Sequence, residues 1–150
     1  MRTAPLLWIL ALVSGVLIPV QAAANAALSR SILGNVAAAA LTLFAVAVAT
    51  TLLAYGLIGG PAPAWEHFRS APWWSYTGGI IVALYVLTIT FLAPRLGVGT
   101  AIALIVTGQV LGALLIDHFG LLRSLTFPLT PARVAGAVLM IAGAFLALRR

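Results

Sequence analysis

The chain has 150 residues, of which 63% are hydrophobic and 7% charged, with a formal net charge of +6. That composition excludes a soluble globular surface and describes an integral membrane protein with apolar character along its whole length. The positive charge does not indicate nucleic acid, because all the basic residues are arginines placed at the ends of apolar runs and not gathered into a patch.

The first apolar run, Leu6 to Leu28, is long enough for a membrane helix, which needs about 20 residues. It concentrates the polar groups that lipid penalises. Gln21 and Asn25 are four apart and share one helix face. Pro19 removes a backbone hydrogen bond and leaves the carbonyl of Gly15 without its helical donor. Two amides beside a freed carbonyl suit a polar cavity, with hydrogen-bonding glue between helices as the alternative. Arg2, the apolar run and the alanines from Ala22 to Ala26 also fit a secretory signal with a small-residue cleavage site. The apolar character that resumes after Asn25 favours an uncleaved first span.

A second span runs from Leu33 to Ile58 and ends at Gly59, Gly60, Pro61 and Pro63. Between it and the third span, Trp65, Phe68, Trp73, Trp74 and Tyr76 read as an interfacial aromatic belt, joined by Trp8, with Glu66 and His67 as headgroup contacts. The third span, Trp73 to Leu92, opens on Gly78 and Gly79, which permit close helix approach. Tyr85 and Thr88 share a face in its middle, and the tyrosine ring can either stack on a solute or pack in the bundle. Pro94 to Gly97 interrupts the chain after it.

The fourth span, Val98 to Ile116, carries Gly108, a packing position, and Gln109, which climbs one face with Ala113 and Asp117 at steps of four. Asp117 is the acid adjoining a span, so it is the candidate for proton coupling or gating, or else an interfacial partner of Arg123 or Arg133. His118 points about 100° away and reads as a headgroup contact. The fifth span, Ala132 to Leu148, places Gly136 and Gly143 one heptad apart, a small-residue stripe suited to an oligomer contact.

The runs are continuous and do not alternate, so the expected fold is an all-α bundle of five transmembrane helices in one domain, not a barrel. With no cysteine, two acids and two histidines, no catalytic constellation, metal set or cofactor site is expected. In this layout Arg2, Arg69, Arg123 and Arg133 fall on one membrane face and Arg30, Arg95, Arg149 and Arg150 on the other. Basic residues normally set orientation, and here they cancel. The expectation is therefore an antiparallel dimer, either with a second copy or with an inverted paralogue.

PVQAAANAALSR in the first span, GGIIVALYV and APRLGVGTAIAL across the third and fourth, GQVLGALLIDHFGLL and RVAGAVLMIAGAFLALRR together cover nearly the whole chain. On these runs the chain resembles the YdcZ-type inner-membrane exporters of the drug/metabolite transporter superfamily. The resemblance implies a five-helix protein of the bacterial inner membrane, with weight on Gln21, Asn25, Gly78, Gly79, Tyr85, Gly108, Gln109, Asp117 and Gly120. Val82 and Ala47 stand where the family pattern favours glycine. The related small multidrug exporters carry a membrane-embedded glutamate in their first helix, where this chain has Gln21 and Asn25.

The expected function is export of a small neutral or weakly charged solute by alternating access. Gln21, Asn25, Tyr85 and Gln109 would bind it and Asp117 would couple or gate, with lipid as the surrounding partner and no nucleic acid. A dual-topology ion channel and an accessory membrane protein without a solute path are the alternatives.

Overall fold

The computed structural model describes residues 4–147. Six α-helices follow one another: α1 (Ala4–Ser31), α2 (Val36–Ile58), α3 (Trp65–Ser70), α4 (Thr77–Leu96), α5 (Val98–Phe119) and α6 (Pro131–Ala147). No strand occurs among the described residues. The stretches Pro5–Ser31, Val36–Ile58, Trp73–Leu96 and Val98–Phe119 are long and apolar enough to cross a membrane, and Pro131–Leu146 is a shorter apolar helix. At 1.5 Å per residue the 17 residues of α6 reach about 25 Å, the lower end of what a bilayer needs.

The helix limits follow from local chemistry. α1 is helical through Pro19 and ends where Leu33 and Gly34 take left-handed backbone, with the Gly34 amide donating to the Ser29 carbonyl at 2.8 Å. Asn35 then caps α2, its side-chain oxygen accepting from the Ala38 amide at 2.9 Å. The second helix therefore starts at Val36, three residues later than the apolar run begins. Pro94 lies inside α4, which ends at Leu96, so the interruption comes at Gly97 (φ 86°) and not at the proline. The aromatic segment after Ile58 contains α3 and a 3-10 turn at Trp73–Tyr76, which the apolar pattern does not reveal.

The chain divides into two compact units, Met1–Arg95 and Leu96–Arg150. In the first, α1 and α2 form a helical hairpin. Ala22, Asn25, Ala26 and Ser29 are buried on α1, and Val86, Ile89, Thr90 and Ala93 on α4, each a stripe at helical spacing. Ala39 and Ala40 are the buried positions of α2. Small residues dominate because close backbone approach, not burial of large apolar groups, drives packing between helices in lipid. Large apolar residues point outward instead, Leu12 and Leu53 among them.

In the second unit α5 and α6 form a hairpin. Gly120 closes α5 in the left-handed conformation, φ 59° and ψ 34°. The connecting loop folds back on the helix end: the Phe127 amide donates to the Asp117 carbonyl at 2.9 Å and the Ser124 hydroxyl to the Ile116 carbonyl at 3.3 Å.

Candidate functional site

Gln21, Ala24, Asn25 and Leu28 of α1 and Thr42, Leu43 and Val46 of α2 line a groove of about 240 Å³. Gln21 lies ten residues before the end of α1, about 15 Å along the axis and thus close to mid-bilayer depth. Asn25 is one turn nearer the end. Among the described residues no charged side chain lines the groove. Its polar groups are the two amides and the Thr42 hydroxyl, whose proton goes to the Ala38 carbonyl at 2.9 Å, so its oxygen is left as an acceptor.

Asn25 is buried, and its Nδ2 donates to the Thr90 hydroxyl of α4 at 2.6 Å. Thr90 is fully buried. This bond joins the buried stripe of α1 to that of α4 and fixes which way the Asn25 amide faces. Pro94, four residues on, has no amide to offer the Thr90 carbonyl, so the same residue carries a backbone acceptor without its helical donor. The sequence does not single out Thr90, and its expected polar pair in that span is Tyr85 and Thr88. Thr88 is exposed and Tyr85 half-buried.

The other expected site residues are not among those that line the groove. Gln109 belongs to the second unit and is exposed. Asp117 pairs there with Arg133, Nη2 to Oδ2 at 2.5 Å, and Arg133 also donates from Nη1 to the Phe127 carbonyl at 2.6 Å. The interfacial pairing open to Asp117 is thus formed with Arg133, not Arg123. His118 accepts the Leu129 amide on Nδ1 at 3.1 Å, which engages the ring in the loop. Gly78, Gly79, Gly108, Gly136 and Gly143 all have open space where a Cβ would stand. Arg2, Arg149 and Arg150 lie outside the described residues.

The model of the family described as "Putative inner membrane exporter, YdcZ" matches residues 6–146. Inner membrane protein YdcZ of Escherichia coli (strain K12) is 32% identical over 93 residues, which cover 61% of this chain and 60% of that protein, less than two thirds of its length. No solved structure matches the chain. The family match over nearly the whole length places this chain in the YdcZ family, and its helices of membrane-spanning length make it a multi-pass membrane protein.

Proposed function

We propose that the chain exports a small, uncharged or weakly charged solute, acting as a transporter and not as an enzyme. Two copies, or one copy and an inverted paralogue, would assemble antiparallel, so that exchange of two equivalent, oppositely directed states gives alternating access. Gln21 and Asn25 are the central binding residues, with Tyr85 and Gln109 contributing as the path opens. Asp117 gates, its pair with Arg133 being the contact that must exchange. The stripe of Gly136 and Gly143 cements the pair, with Gly78, Gly79 and Gly108 as further close-approach positions.

The observation that carries this reading is the groove itself, about 240 Å³ with two amides and no charge at membrane depth. Such a lining orients a solute by hydrogen bonds and gives no electrostatic reward to an ion, which favours a transporter over an ion pore. The test is counterflow in vesicles reconstituted with the full chain. The double variant Gln21→Ala and Asn25→Ala should lose transport while remaining folded. Undiminished counterflow would remove the site assignment, and large passive currents from the wild type would favour the channel.

A further inference from the structure

The segment between α2 and α4 holds a second cavity that the transport reading does not use. It has a volume of about 400 Å³ and is lined by Trp65, Phe68, Arg69, Ala71, Trp73 and Tyr76. Local hydrogen bonds build it: the Phe68 carbonyl accepts from the Tyr76 hydroxyl at 2.5 Å and from the Ala71 amide at 3.2 Å, which folds α3 against the turn that starts α4. The Trp65 and Phe68 rings stand 6.2 Å apart on one side. Trp65 is 72% exposed and Trp73 79%. Rings so uncovered belong at the boundary where one edge meets acyl chains and the other meets headgroups, and the cavity lies where the Trp73–Leu96 span begins.

Arg69 supplies the charge. It makes no ion pair among the described residues; Glu66, on the same short helix, lies outside bridging distance, and Asp117 is engaged with Arg133. An arginine among four aromatic residues has its counter-anion to find outside the protein, and a planar guanidinium matches a phosphate through two parallel hydrogen bonds. The apolar walls suit the glycerol and upper acyl region that follow a lipid phosphate.

We propose that this cleft binds the phosphodiester headgroup of an anionic phospholipid, with Arg69 as its ligand and the Trp65 and Trp73 rings as its walls. The lipid anchors the segment at the membrane surface. A single arginine near a membrane surface supports about a fivefold preference for an anionic lipid over a zwitterionic one.

The test uses the purified full chain, delipidated in detergent and offered equal amounts of phosphatidylglycerol and phosphatidylcholine of identical acyl chains, with retained lipid counted by native mass spectrometry. The wild type should prefer phosphatidylglycerol, Arg69→Gln should lower that preference about fivefold, and Arg123→Gln should leave it unchanged. The proposal fails if the wild type shows no preference, if Arg69→Gln keeps it, or if Arg123→Gln loses as much. Should Arg69→Gln not fold by circular dichroism, a Trp8→Phe, Trp74→Phe chain leaves Trp65 and Trp73 as the emitters. In vesicles, brominated phosphatidylglycerol must then quench them more than equally brominated phosphatidylcholine; equal quenching overturns the site.

Discussion

Replacing Thr90 by valine keeps the shape of a fully buried side chain and deletes the hydroxyl that accepts from Asn25 at 2.6 Å. Hydrogen bonds between membrane helices contribute about 0.6 kcal/mol on average and about 1.7 kcal/mol at most. Here Thr90 is 0% exposed, so water cannot take the place of its hydroxyl, and a donor left unsatisfied there costs about 1–3 kcal/mol. The two ranges overlap between about 1 and 1.7 kcal/mol, which is the destabilisation expected of Thr90→Val. The assay is reversible unfolding in micelles followed by helical circular dichroism, run as a double-mutant cycle with Asn25→Ala. A coupling of about 1 kcal/mol is expected, because the second substitution removes the donor that the first orphans. Strict additivity, with coupling below about 0.3 kcal/mol, would mean that the two side chains do not depend on each other and would refute the reasoning.

Ala22 is fully buried on α1 while Ala23, one residue on, is exposed. Ala22→Leu should cost about 1–3 kcal/mol by overpacking, and Ala23→Leu should stay within about 0.5 kcal/mol in the same unfolding assay. Gly120 closes α5 at φ 59°, and a Cβ there would stand 2.6 Å from the Thr126 hydroxyl oxygen. Gly120→Ala should therefore lose about 1–2 kcal/mol, whereas Gly112→Ala, in the helix interior with open space around it, should gain about 0.5–1 kcal/mol. Asp117 and Arg133 are each about a third exposed, so screening leaves their ion pair only about 0.5 kcal/mol. Because Arg133 also holds the Phe127 carbonyl, Arg133→Ala should speed protease cleavage between residues 120 and 130 more than Asp117→Asn does; equal rates would show that the Phe127 contact contributes nothing. If the arginines balance across the membrane, cytoplasmic and periplasmic reporters fused after Arg150 should both be active, and one silent reporter would require an inverted partner chain.

Two residues of the candidate groove are legible in the sequence. Gln21 and Asn25 stand out because amides are rare and costly in an apolar run, and their spacing of four places them on one face of the groove. Thr90 is not legible, because a threonine satisfies itself against its own helix easily and carries no comparable signal in lipid, as Thr42, Thr50 and Thr51 do here. The aromatic cleft is half legible: its rings mark an interface, but a six-residue helix is too short to show a period.

The sequence alone determined that this is a multi-pass α-helical membrane protein, since insertion depends on the length and apolar content of each run, which a sequence states directly. It also marked helix ends at Gly59 and Gly97. Only the tertiary structure decided which faces turn inward. A helix that is apolar all round has no amphipathic stripe to declare its buried side, so nothing in the third apolar run distinguishes the face of Val86, Ile89, Thr90 and Ala93 from that of Tyr85 and Thr88. The choice is made by where backbones can approach and by where the Asn25 amide finds a partner.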